Sequence, residues 1–235
     1  MRSFIIAVLA LFSLTGLARA EWAIDRMDAQ IEDTNIILGM DANPFCSGTI
    51  ISRKDRLILT AAHCVADAFN TKTITETDPK TGEVREKKIE TSEYLDTWQD
   101  RYLDYDVVSS IHYAAKVVTR DAKTDVAILQ VLDPEWIPKQ AAPMSKSAKA
   151  LKRGQTVYVV GNPAGVLDAS VTKGIVSNTQ RKLPIGADKT SYFQVDAAII
   201  GGNSGGAVYD DDGQLIGVVS AGIMLVKAGF KEFAE

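Results

Sequence analysis

Short β-rich runs separated by polar turns follow one another along most of the chain, with no long helical period between them. "SGTIIS" and "RLILT" flank the polar turn Ser52-Arg53-Lys54-Asp55, and "AKVVTR", "TDVAILQV", "QTVYVVG", "ASVTKGIVSNT", "TSYFQVD", "GAVYD" and "QLIGVVS" come after them. Runs of this length, rich in β-branched residues and bounded by turn formers, are strand signals. Parallel sheets need a crossover helix between strands. The sequence supplies no series of such helices, so the expectation is an all-β barrel or sandwich built from hairpins. Asp211-Asp212-Gly213 reads as one hairpin turn. A chain of 235 residues that is 46% hydrophobic has material for a core. Its net charge of -4 carries no basic footprint for nucleic acid.

Four segments break the strand rhythm. Residues 1–20, "MRSFIIAVLALFSLTGLARA", have a basic start, an apolar run and Ala18-Arg19-Ala20 at the end. That is the pattern of a secretory signal, so the mature chain is expected to begin at Glu21 and to leave the membrane after cleavage. Glu21–Gln30 suits a short surface helix. Asn70–Asp106 is long and charged, and is read as an elaborated surface loop holding a solvated hairpin that turns at Pro79-Lys80-Thr81-Gly82. Asp133–Gly154, with its prolines and polar residues, suits a connection between two β units.

Export governs how Cys46 and Cys64, the two cysteines of the chain, are read. In an oxidising compartment one disulfide is the default. The alternative is a metal site using Cys46, Cys64, His63 and His112, although adjacent His63 and Cys64 lack the usual zinc-ligand spacing. No metal or other cofactor is expected.

"GGNSGGAV", Gly201–Val208, places Ser204 among four glycines. Such a stretch can be an ordinary turn, because Gly and Asn tolerate positive φ. It can equally let a substrate backbone reach Ser204. A serine nucleophile needs a histidine base, and that base needs an orienting acceptor. His63, in "LILTAAHCV", follows a strand and adjoins a cysteine; His112, in "VSSIHYAAK", is read as a packed or surface residue. Gly202-Asn203-Ser204-Gly205-Gly206 also fits the nucleophile elbow of α/β-hydrolases, but there the histidine follows the serine, and none follows Ser204. The acid therefore lies between His63 and Ser204. Asp125, opening the apolar run "DVAILQV", is the leading candidate, ahead of Asp104, Asp106 and Asp121 in more polar surroundings.

Together, "FCSGTIIS…LILTAAHCV", "TDVAILQV" and "GGNSGGAV" resemble the trypsin/chymotrypsin-like serine proteases, Thr60-Ala61-Ala62-His63-Cys64 being the most specific string. "GQTVYVVGNPAG", "SVTKGIVS" and "VDAAIIGGNSGGAV" are similar to the HtrA/Deg branch. The resemblance covers roughly residues 36–222 and leaves 70–106 unmatched. It implies two six-stranded antiparallel β-barrels, about 36–135 and about 152–225, with the active site in the cleft between them. It implies a catalytic triad of His63, Asp125 and Ser204, an oxyanion hole from the N–H groups of Gly202 and Ser204, and a Cys46–Cys64 disulfide. The function implied is a secreted or periplasmic serine endopeptidase acting on protein or peptide substrates.

Departures from the family pattern shape the rest. Trypsin-type enzymes place an Asp before the nucleophile, to pair with a new N-terminus after zymogen cleavage. Asn203 stands there, so activation of that kind is not expected, although "NIILG" at Asn35–Gly39 resembles an activation terminus. The S1 pocket is expected from Ala198, Ile199, Ser220, Ala221 and Gly222. No acid occupies position 198, so small or medium aliphatic P1 residues are favoured over Lys and Arg. Ile200 stands where the HtrA/Deg branch usually has Asn, and no PDZ domain is expected after the Ser204 region. The rival reading is a catalytically inactive protease fold that serves as a binding module.

Overall fold

Alternate residues of Val126–Val131 are buried, and those residues, Ala127, Leu129 and Val131, face a core shared with Ile36, Leu38, Ile50, Ile58 and Leu95. Such period-2 burial is what a strand with one wet face requires. The computed structural model describes residues 23–92, 94–103, 106–144, 151–182 and 191–220. The signal-like segment 1–20 lies outside them. Around this first core six strands close into an antiparallel barrel. They are β1 (Asn35–Met40), β2 (Asn43–Ser52), β3 (Leu57–Thr60), β6 (Tyr94–Leu103), β7 (Asp106–Asp121) and β8 (Val126–Val131), in the order β1-β2-β3-β8-β7-β6.

Between β3 and β6 the chain makes one 3₁₀ segment, His63–Ala68, then a separate two-stranded hairpin of β4 (Phe69–Thr77) and β5 (Val84–Ser92). The stretch 70–106 is therefore not one surface loop. Its first part is the expected hairpin, but Tyr94–Leu103 is a barrel strand that pairs with both β1 and β7. Sequence patterning hides it because two of its core-facing positions, Thr97 and Gln99, are polar and satisfied internally. The Thr97 hydroxyl donates to Tyr113 O at 2.9 Å, and the Gln99 amide donates to Glu32 O and Asp33 O.

The second unit is a curled five-stranded antiparallel sheet among the described residues, β11-β10-β9-β12-β13. It contains β9 (Thr156–Gly161), β10 (Ser170–Lys182), β11 (Ser191–Val195), β12 (Ala207–Asp210) and β13 (Leu215–Val218). Strand β9 is buried on both faces. Val157 and Val159 pack with Val176 and Val208, while Tyr158 and Val160 pack with Tyr209, Leu215 and Ile31. This is why "TVYVV" reads as a continuous apolar run rather than an alternating one. The helix α1 (Ile24–Thr34) supplies Ile31 and runs four residues beyond the expected Gln30. It is tied to β12 and its turn: Gln30 donates to Gly213 O at 3.0 Å, and Thr34 shares a hydrogen bond with the buried Tyr209 hydroxyl at 3.2 Å. Burial pushes the Tyr209 phenol up to about 12.

Candidate active site

Strand β3 ends at Thr60 and runs through Ala61 and Ala62, both buried, into His63. Small side chains let the chain turn tightly against the barrel here. Cys64 N–H donates to Ala61 O and Val65 N–H to Ala62 O, which closes the 3₁₀ turn. Cys64 is disulfide-bonded to Cys46 in β2, so the residue after His63 is bonded to the neighbouring strand. Both sulfurs are thereby used, and neither can act as a thiolate ligand.

Asp125 closes the turn between β7 and β8 with φ at 56°. A left-handed conformation is unusual outside Gly, though Asp is among the residues enriched there. Its carboxylate meets His63 twice: Oδ2 lies 2.8 Å from Nδ1, and Oδ1 accepts the His63 backbone N–H at 2.9 Å. Ser220 donates its hydroxyl to Oδ2 at 2.5 Å. A carboxylate at Nδ1 fixes the proton on that nitrogen and leaves Nε2 with its lone pair. The hydrogen bond that His63 donates to Asp125 raises the His63 pKa, against the opposing effect of partial burial. Burial alone would raise the Asp125 carboxyl, but the hydrogen bonds from His63 and Ser220 outweigh it and hold it below its ordinary value. His112 takes no part in this pair. It sits on β7, 3.0 Å from Asp96 and stacked on Trp98. Asp121 is spent on the N–H of Lys123 and the hydroxyl of Thr124; Asp104 lies outside the described residues.

Ser204 is carried by the loop before β12, and that loop is docked on the first barrel. Ser47 N–H, in β2, donates to Ser204 O at 2.7 Å. Gly205 has φ at 81°, and a Cβ there would collide with Thr60 Oγ1 and Ser47 O, which places the loop against the end of the strand leading to His63. Gly205 N–H donates to Val219 O at 2.8 Å, beside the residue that bonds Asp125. The same loop orders its peptides. Gly201 O accepts from Ala164 N–H at 2.7 Å, and Asn203 O accepts from Gly206 N–H at 2.9 Å. In a trans peptide the N–H points opposite to the C=O. The N–H groups of Gly202 and Ser204 therefore point away from these anchored carbonyls, and neither donates to an acceptor among the described residues. Gly202 must be glycine: φ is 96°, and a Cβ would lie 2.6 Å from Ala164 N. Gly201 faces open space and is under no such demand.

Of the residues expected to line a specificity pocket, Ala198 is exposed and its carbonyl accepts the Thr172 hydroxyl at 3.0 Å. Ile199 packs against the Val157–Val208 core. Ser220 spends its hydroxyl on Asp125, a contact that sequence reading did not foresee. Ala221 and Gly222 lie outside the described residues. Two further residues escaped the sequence reading, Ser47 and Asn162. Both are 0% exposed and hydrogen-bonded to each other across the two units. The available signal was a polar residue inside each of two otherwise apolar or Gly-bounded strand ends, "FCSGT" and "VVGNP".

Among the described residues, no helix is long and apolar enough to cross a membrane. A family model described as "Trypsin-like peptidase domain" matches residues 46–218. The chain is 37% identical over 127 residues to a protein named "Serine protease HtrA-like" from Staphylococcus aureus (strain USA300). It is 35% identical over 117 residues to a "Probable periplasmic serine endoprotease DegP-like" from Rickettsia prowazekii (strain Madrid E). These alignments take in 51% and 49% of the chain but only 16% and 22% of the relatives, so the chain spans less than a quarter of the length of either. Among solved structures, the crystal structure of Deg5 matches with a TM-score of 0.60 at 22% identity, over 84% of this chain and 83% of that one, a likeness of fold.

Proposed function

The chain belongs to the trypsin-like peptidase family, in its HtrA/Deg branch, and from that premise we propose that it is an exported serine endopeptidase working through Ser204, His63 and Asp125. The observation that carries the proposal is the pair of hydrogen bonds that His63 donates to Asp125, from Nδ1 at 2.8 Å and from its backbone N–H at 2.9 Å, the first of which keeps the proton on Nδ1 and Nε2 unprotonated as the base. In this reading Nε2 takes the Ser204 proton as Oγ attacks the peptide carbonyl. Asp125 holds the tautomer and stabilises the imidazolium that forms. Negative charge on the carbonyl oxygen is met by the N–H groups of Gly202 and Ser204. Preorganised donors of this kind are worth about 3–4 kcal/mol each, judged by removal of one. The imidazolium then protonates the leaving amine, the peptide bond breaks, and water hydrolyses the acyl-enzyme with His63 again as base.

Substrates in this reading are proteins or peptides with small or medium aliphatic P1 residues, because position 198 is alanine and offers no carboxylate to a cationic side chain. Export rests on the signal-like residues 1–20 and agrees with the word "periplasmic" in the name of the Rickettsia relative. A fluorophosphonate probe tests the proposal. Labelling of Ser204, its loss in His63→Ala, and cleavage of unfolded protein are expected. A folded chain that resists the probe and cuts nothing overturns it in favour of a binding module.

A further inference from the structure

An oxyanion hole works only if the backbone that carries its donors keeps one orientation, and Asn203, before the nucleophile, has no charge with which to anchor that backbone. We propose that Ser47 and Asn162 are the positioning residues that hold it, an inference that rests on the peptidase reading above. The Ser47 hydroxyl accepts from Asn162 N–H at 2.8 Å and from Asn162 Nδ2 at 3.0 Å. A hydroxyl has two lone pairs and one proton. With both lone pairs filled, the proton has one destination, the Gly202 carbonyl at 2.7 Å.

Asn162 is itself fixed. Its Nδ2 also donates to Ile36 O at 3.0 Å, and its Oδ1 accepts from Asn35 Nδ2 at 2.6 Å and Ala169 N–H at 2.9 Å. The amide cannot flip without setting donor against donor. Ser47 and Asn162 are 0% exposed, and a fully satisfied network in so dry a place is stiff. Ser47 therefore grips the loop at two carbonyls, Gly202 through its hydroxyl and Ser204 through its backbone N–H. Gly202 is the weak point of the loop, because a residue without Cβ re-orients its peptides at least cost. The Gly202 N–H lies in the 201–202 peptide and the Ser204 N–H in the 203–204 peptide, so Ser47, by holding the 202–203 peptide between them, sets one donor relative to the other; releasing the Gly202 carbonyl lets that middle peptide turn and takes the two donors out of register.

The test uses the full chain with Ser47→Ala, Ser47→Thr and Asn162→Asp. Ser47→Ala is expected to keep KM and the affinity for a product peptide within about twofold. Its kcat falls about 10–100-fold, below the loss for deleting a donor outright. Affinity for a peptide aldehyde, which presents the oxyanion, falls in parallel. Asn162→Asp puts an acceptor in place of Nδ2 and draws the Ser47 proton from Gly202, so it gives the same split with Ser47 present; it carries the test if Ser47→Ala does not fold. Ser47→Thr, which retains the hydroxyl, restores most of kcat. The inference is overturned if turnover per fluorophosphonate-titrated site is unchanged in Ser47→Ala and Asn162→Asp, or if aldehyde and product affinities fall together. A wild-type chain with no turnover and no Ser204 labelling overturns the peptidase reading itself, and this inference with it.

Discussion

Opening the Cys46–Cys64 bond tests how far the candidate site depends on a covalent tie. The bridge joins β2 to the turn that begins at His63, across a sequence separation of 18. In the chain-entropy treatment, closing a loop of that size removes 2.1 + 1.5R ln n from the unfolded state. For n of 18 this is about 11 cal/mol/K, or about 3 kcal/mol at 25 °C. Both cysteines are buried, so Cys46→Ala/Cys64→Ala adds a packing loss of the same sign. A chain of this size loses about 2–4 °C of Tm per kcal/mol, so the melting temperature should drop by about 6–12 °C. Circular-dichroism melts of the oxidised chain, the chain in reductant and the double variant would measure it, with reversibility checked by rescanning. The reduced chain separates loop entropy from packing, because it keeps both sulfur atoms. A Tm that moves by less than about 2 °C on reduction would show that the unfolded state gains no freedom from the cut, and the reasoning would fail.

Three other outcomes follow from the site. Because Asp125 raises the His63 pKa, and only neutral His63 can accept a proton, kcat/KM should rise with pH through a midpoint above the ordinary histidine value. Asp125→Asn should move that midpoint to lower pH and cut kcat by a factor on the order of 10⁴; an unmoved acid limb would exclude His63 as the base. Gly205→Ala places a methyl on Thr60 and Ser47 at positive φ and should cost about 2–4 kcal/mol in urea unfolding, whereas Gly201→Ala, with nothing within 4 Å, should stay within about 1 kcal/mol. Ala198→Asp should raise kcat/KM for Lys or Arg at P1 by at least about tenfold relative to Leu, and unchanged selectivity would remove Ala198 from the pocket.

What the sequence discloses is uneven, for physical reasons. Strands with one dry face, such as Val126–Val131, or two, such as Thr156–Gly161, write their burial directly into the pattern of apolar residues. Tyr94–Leu103 does not, because a barrel can turn Thr97 and Gln99 inward once backbone carbonyls receive them. His63 and Asp125 stand out because each sits at the end of a recognisable strand, next to the turn that displays it. Ser220 was visible only as a pocket position, since its bond to Asp125 joins residues 95 apart in the chain. Ser47 and Asn162 are less visible still. A polar residue at each strand end is their one local trace, and it does not name a partner that lies 115 residues away.

The same contacts bear on how the loop around Ser204 becomes ordered. Asn203 is buried, and a Cβ on Gly161 would lie 2.6 Å from its Oδ1, so the pocket has no room for an incoming chain terminus at that point. The stretch that resembles an activation terminus, Asn35–Gly39, is already within β1, hydrogen-bonded to β2 and β6. Cutting before Ile36 would detach Asn35, whose amide holds Asn162 at 2.6 Å, and Asn162 in turn orients Ser47. A cut that matures a trypsin-type zymogen would therefore loosen this loop, since its anchors are neutral hydrogen bonds between strands of two units. Such anchors need no charge to be created, only that the two units stay docked.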